Sequence, residues 1–387
     1  EFAGAVEAVS STGGQLMPPV MGLAAFLIVG MTGVSYNSVM VAAIAPAFIY
    51  YAFLMLAVHL RASNMGLDAR TSPELEQTTS LKEAALQQWH LVVAIAVLVY
   101  LLVTGIPAGT SALAAVLLLL GLDAVVTAVR GRASKSALIE AGSRILNGFV
   151  EGARAGAMVA TVIAVIGVLI EVLTVTGFAQ KLSFAMLDLS DGSLFTLSIV
   201  VAASCLVFGL GLPTSATYFI VALFGAPALI ELGVPLLAAH LFVFYFANLS
   251  AVTPPVAVAA LVGANIAKAS FWGTSFSAVR LALPGFLLPF LFLFEPEILG
   301  LSGGLGDQIL AIIQVLIATA ALNFALEGRI FERVTFIERV ILAVAALGLL
   351  YWNPWVEVVS LSVILAIAFW NWIQKKRAHS DLENGAA

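Results

Sequence analysis

Apolar runs long enough to cross about 30 Å of hydrocarbon recur from one end of this chain to the other, and nothing else in it limits the fold as strongly. They fall at residues 5–30, 34–60, 89–107, 108–130, 158–178, 193–211, 218–233, 235–269, 278–294, 307–326, 334–351 and 355–373. Charged residues are 10% of the sequence, against about 25% in soluble domains. The bilayer is therefore the solvent in which the chain is read. The expected fold is an all-α polytopic membrane protein, because a helix satisfies its own backbone where no water can.

The polar connections are 61–88, 131–157, 327–333 and the tail from Gln374. Basic loops stay on the cytoplasmic side. If the first segment runs outward and 193–233 enters and leaves on the outer face, sixteen of the 17 Lys and Arg residues lie inside and only Lys181 lies outside. A single crossing at 193–233 would send the later basic clusters outward. The pair must therefore start and finish on one side, either as two full spans or as a re-entrant hairpin; its short second arm and polar tip favour the hairpin. Residues 137–157 read as an amphipathic arm along the cytoplasmic interface, with Leu138, Ile145 and Phe149 on one face and Glu140, Arg144 and Glu151 on the other.

Three polar stretches interrupt the apolar runs. The first is Ser10-Ser11-Thr12-Gly13-Gly14-Gln15-Leu16-Met17-Pro18-Pro19, the second Gly209-Leu210-Gly211-Leu212-Pro213-Thr214-Ser215, and the third Asn248-Leu249-Ser250-Ala251-Val252-Thr253-Pro254-Pro255. Proline removes a backbone donor and disfavours helix just before itself, so a continuous helix does not pass comfortably. Unwound backbone at membrane depth persists only where protein buries it or a watery cavity borders it. Carbonyls with Ser and Thr hydroxyls make a hard-oxygen setting suited to Na⁺, and the N-termini of half-helices favour a carboxylate. The alternative is a set of proline-kinked helices held by their neighbours. The first and third stretches share a serine followed by Pro-Pro-Val, as the halves of an inverted repeat would.

Elsewhere the chemistry is sparse. Cys205 is the single cysteine, and the four histidines, His59, His90, His240 and His379, are scattered, so neither a disulfide nor a transition-metal site is expected. Asp123 and Glu171 lie about two turns inside their segments and are the intramembrane carboxylates to weigh. An inner-interface place is favoured for Asp123, and for Glu171 an outer-interface place stands beside a coupling role. Glu1-Phe2-Ala3-Gly4 has no basic n-region and does not read as a signal peptide.

At these motifs the sequence resembles the large membrane subunit of the tripartite ATP-independent periplasmic (TRAP) transporters. It is most similar to the fused permeases that work with TAXI-type binding proteins. Val6 to Gly22 carries the most specific likeness; Gly209 to Thr217 and Thr253-Pro254-Pro255-Val256-Ala257 follow in the expected order, over about residues 1–295. The resemblance implies an elevator-type transporter with inverted repeats, broken helices and a re-entrant hairpin. It carries over Ser11, Thr12, Gly13 and Gly14 to the first broken helix, Gly209, Gly211, Pro213, Thr214 and Ser215 to the second hairpin tip, and Asn248, Ser250 and Thr253 to the second broken helix. Na⁺ is expected at Ser11, Gly13, Thr214, Ser250 and Thr253 as coupling ion, with no other cofactor.

On this reading 1–30 is the broken helix of the first repeat and 31–136 holds spanning helices with the cytoplasmic loop 61–88. The interfacial arm 137–157 is followed by the second repeat, 158–271, with hairpin 193–233 and broken helix 235–269; C-terminal spans fill 272–373 and a cytoplasmic tail 374–387. The family's first hairpin is missing upstream, so the chain is expected to be N-terminally truncated and unable to transport alone. Some relatives also carry an acidic residue near Ala251, where this chain has none. The expected function is Na⁺-coupled uptake of a small organic anion across the inner membrane of a bacterium or archaeon. Its partners are a periplasmic TAXI-type substrate-binding protein and membrane lipid, with no nucleic acid. Proton coupling through Glu171 and a non-transporting scaffold are the alternatives. An intramembrane enzyme would need a nucleophile and base or an acidic metal cluster, and the sequence presents neither.

Overall fold

The computed structural model describes residues 1–67, 88–129, 135–351 and 353–385. Among them are sixteen α-helices and no β-strand beyond the isolated Arg329–Arg333 bridge. In chain order the helices are α1 (Phe2–Gly14), α2 (Leu23–Thr32), α3 (Tyr36–Asn64), α4 (Trp89–Val103), α5 (Ala108–Val129) and α6 (Lys135–Val175). There follow α7 (Phe178–Ser190), α8 (Leu194–Phe208), α9 (Thr214–Ala222), α10 (Gly225–Glu231), α11 (Leu236–Leu249) and α12 (Val258–Ile266). The chain closes with α13 (Phe271–Phe294), α14 (Leu305–Glu327), α15 (Phe336–Leu349) and α16 (Pro354–Gly385). Six of these, α3, α5, α6, α13, α14 and α16, contain stretches long and apolar enough to cross a membrane, so the protein is a multi-pass, all-α membrane protein.

The other apolar runs are short or interrupted helices. Residues 5–30 are divided into α1 and α2, and 235–269 into α11, a 3₁₀ turn at Ser250–Val252, and α12. Both divisions fall at Pro-Pro, and both contain a cis peptide, Pro18-Pro19 and Pro254-Pro255. Residues 218–233 belong to α9 and α10, which meet at a 44° bend.

Some expected boundaries move. The arm at 137–157 is not a separate element: α6 runs unbroken through it and on to Val175, because no proline interrupts residues 135–175 and their small residues are tolerated in a helix. The polar stretch after 178 is helical too, as α7. Helix α13 begins seven residues before the apolar run at 278, where the Ser270 hydroxyl accepts the Gly273 amide at 3.3 Å and caps the first turn. At the other end α16 carries the expected tail into helix as far as Gly385. Most of the loop 61–88 and part of 131–157 lie outside the described residues.

The chain forms two compact units. One comprises Ala25–Met40 and Ser72–Leu182, in which α4 packs against α5. Its helices α5 and α6 are scarcely covered by protein, at 11% and 6% of their apolar windows, an exposure that hydrocarbon accepts and water would not. Glu171 is exposed on α6.

The other unit comprises Glu1–Ala24, Val41–Thr71 and Ser183–Ala387. At its centre is α11, buried on every side from Leu237 to Leu249, as a helix with an apolar surface all round must be. Helices α8, α9 and α10 fold against one another and against α11, and Cys205 on α8 packs onto the Val243 carbonyl at 3.7 Å. Helix α1 crosses α12 at Gly4 and Gly263, where each residue's missing Cβ is occupied by the other's backbone. Helices α14, α15 and α16 pack in sequence. A reciprocal Thr335–Glu338 capping box starts α15.

Candidate functional site

The three interrupted stretches converge. A cavity of about 520 Å³ is bordered by Ser11, Thr12 and Gln15 at the end of α1, by Gly209 to Ser215 between α8 and α9, and by Ala251, Val258 and Ala259 around the second break. Leu23 and Val262 complete an apolar side, and no charged residue is among the lining. Of the residues expected at the site, Ser11, Thr12, Gly209, Gly211, Pro213, Thr214 and Ser215 border this space. Gly13, Gly14, Asn248, Ser250 and Thr253 are not among the lining residues.

Each wall has a local cause. Gly22 donates its amide to the Gln15 carbonyl at 2.8 Å, closing the loop after α1. At the hairpin tip Gly211 has φ +86°, a left-handed conformation in which a side chain would be strained. Pro213 then caps α9, whose first residues Thr214 and Ser215 face the cavity. After the second break Ala257, at φ 38°, turns the chain into α12, and Val258 and Ala259 face the same cavity. Two helix N-termini thus open onto one space. The first amides of a helix have no carbonyl a turn earlier to bond, and they carry partial positive charge.

Residues outside the lining hold the breaks together. Asn248 is fully buried and donates Nδ2–H to the Thr12 carbonyl at 2.9 Å, tying α11 to the end of α1, while its Oδ1 has no hydrogen-bond partner. A buried acceptor left alone is costly, and such atoms call for an explanation. The Ser250 hydroxyl donates to Ala247 at 2.7 Å and Thr253 to Leu249 at 2.8 Å, which leaves lone pairs on both oxygens for another donor or a cation. Ser250 also presses against Gly209 so closely that a Cβ on that glycine would overlap its side chain. Gly13 is likewise covered by the Tyr50 ring.

Sequence reading missed Gln15 as a lining residue, although it lies within the first motif, and it missed Tyr50 and Tyr51. Their hydroxyls donate to the Val9 and Ser10 carbonyls at 3.0 and 2.9 Å, fixing the last turns of α1 from α3. The adjacent pair of tyrosines, the only tyrosines in the apolar middle of α3, was the available signal. Buried Tyr218 and His240 also pair, Oη to Nδ1 at 2.8 Å, and neither borders the cavity.

Neither a search of curated proteins nor one of solved structures returns a match to this chain. Residues 1–298, which contain all three breaks, match the family model described as the tripartite ATP-independent periplasmic transporter, DctM component. That is a family of transporters and not of enzymes. By this match the chain belongs to the DctM family and is a permease subunit of a TRAP secondary transporter.

Proposed function

We propose that this subunit takes up a small organic anion with Na⁺, the solute being delivered by a TAXI-type periplasmic binding protein at the inner membrane of a bacterium or archaeon. The observation that carries the proposal is the convergence of the three breaks on one uncharged cavity of about 520 Å³, a volume suited to a small solute. The N-termini of α9 and α12 supply positive potential for a carboxylate without a basic side chain. The orphaned Asn248 Oδ1 and the hydroxyls of Ser250 and Thr253 are oxygen donors of the kind a hard monovalent cation prefers. Filling the Asn248 acceptor with a cation would remove the burial penalty of an unpaired amide oxygen.

In this reading Na⁺ binding ties the second break to the end of α1 through Asn248 and so prepares the walls that meet the anion. The hairpin α8–α9 closes one side of the same space, and its tip at Gly209–Pro213 is the element whose movement would open it. Coupling to Na⁺ is favoured here because the three breaks bring oxygen donors, and no ionisable side chain, to the cavity. The test is uptake by the intact transporter, with its binding protein, in media with and without Na⁺. Uptake is expected to require Na⁺ and to fail in Ser250→Ala and Thr253→Ala. Uptake that persists unchanged without Na⁺ would remove the sodium part of the proposal.

A further inference from the structure

The family match ends at residue 298, yet the next helix is built into the same compact unit through a buried carboxylate held by two half-exposed arginines. The Glu327 side chain, at the C-terminus of α14, is 3% exposed. Its two oxygens meet Arg61 at 3.4 Å and Arg280 at 3.2 Å, side chains from α3 and α13 inside the matched region. The carbonyls of the same helix end are taken as well. Asn64 donates to Glu327 O at 2.8 Å, Arg280 to Leu326 O at 2.7 Å, and Arg339 to Ala325 O and Leu326 O at 2.7 and 3.0 Å. The negative end of a helix and a carboxylate are thus plugged into a socket of cations.

One turn earlier on α14, the buried Asn323 amide donates to the Phe53 carbonyl of α3 at 2.9 Å. Helix α14 therefore grips α3 at Phe53, Arg61 and Asn64. The same helix α3 carries Tyr50 and Tyr51, whose hydroxyls hold the Val9 and Ser10 carbonyls next to the cavity residues Ser11 and Thr12. About 16 Å of rigid helix separates Arg61 from Tyr50.

We infer that Glu327 is a positioning residue for the cavity: by clamping the end of α3, the helix beyond the matched region fixes how Tyr50 and Tyr51 hold the end of α1. The inference rests on reading the cavity as the solute site, and the experiment separates the two. In the full chain carrying Cys205→Ser, a cysteine is placed at the lining by Ser11→Cys, and its rate of maleimide labelling is measured in membranes with Glu327, Glu327→Asp or Glu327→Gln. Loss of the carboxylate in Glu327→Gln is expected to change the labelling rate about fivefold or more, with Glu327→Asp restoring most of the parent value. In uptake on the Ser11 background, the half-saturation concentration for solute is expected to rise while the maximal rate per folded protein is retained.

Labelling within twofold of the parent in folded Glu327→Gln would overturn the inference, as would an equal effect of Glu327→Asp and Glu327→Gln. Where Glu327→Gln does not fold, Arg61→Gln decides: it removes the α3 cation that meets Glu327 Oε2, and an unchanged labelling rate would overturn the inference. A failed uptake assay with normal Glu327-dependent labelling would count against the proposed solute and leave the positioning role standing.

Discussion

The contact between Gly209 and Ser250 makes the convergence of hairpin tip and second break measurable. A Cβ on residue 209 would fall on Ser250 Oγ and Cβ and lie 2.8 Å from the Cys205 carbonyl, so Gly209→Ala must push α8 away from the second break. Forced overpacking of this kind costs about 1–3 kcal/mol. Ser250→Gly removes the overlapping atoms, but it also loses the hydroxyl's bond to Ala247 and adds backbone freedom, together about 1–2 kcal/mol. In that background only the close approach to the Cys205 carbonyl remains, and the cost of the alanine at 209 should fall by about 1 kcal/mol or more. The assay is equilibrium unfolding of the four proteins in one detergent, followed by tryptophan fluorescence, with the coupling energy taken from the double-mutant cycle. A Gly209→Ala protein within about 0.5 kcal/mol of the parent, or an equal cost in both backgrounds, would refute the argument that these two stretches meet.

Other consequences follow from single groups. Asn248→Leu removes the orphaned Oδ1 along with the bond to Thr12, so stability should change by only about 1 kcal/mol while the Na⁺ dependence of uptake is lost; an unchanged Na⁺ dependence would exclude that oxygen as a ligand. Tyr50→Phe deletes the hydroxyl that holds Val9 and should cost about 1–2 kcal/mol in the same unfolding assay, whereas no loss would show that α1 is held without it. Just past α13, burial, the hydrogen bond that protonated Glu295 donates to the Glu297 carboxylate, and the nearby charges of Glu297 and Glu357 raise the Glu295 carboxyl from its ordinary 4.5 to about 7. The folded protein therefore favours protonated Glu295. This contribution to stability is complete below about pH 4.5 and is lost as pH rises through about 7. Glu295→Gln should remove that part of the decline, and a parent and variant whose melting curves fall in parallel across this window would contradict the assignment.

Much of the fold was legible because the forces that set it are local. Apolar run length identified the membrane class, and Pro-Pro with Ser, Thr and Gly marked the places where α1, α8–α9 and α11–α12 are interrupted, since a missing donor acts wherever the residue stands. Local rules failed where a helix continued through polar sequence. The arm at 137–157 is helical, as its amphipathic pattern indicated, but it is continuous with the span that follows, and 178–190 is helical without the apolar length that membrane reading looks for. The tail from Gln374 is likewise helical as far as Gly385.

The site divided along the same line. Sequence alone selected Ser11, Thr12, Gly211, Thr214 and Ser215 as polar groups in apolar surroundings, because desolvation makes such groups conspicuous at any depth. Only the tertiary structure decided that the first stretch, about 190 residues before the second, borders one cavity with the second and third, that Asn248 bonded to the end of α1 keeps an unpaired oxygen, and that Tyr50 and Tyr51 brace α1. It also decided that Glu327 pairs with arginines 266 and 47 residues earlier in the chain. Hydropathy, helix breaking and capping act within a few residues and can be read along the chain. Hydrogen bonds and ion pairs between distant helices depend on how those helices pack, and packing is a property of the folded whole.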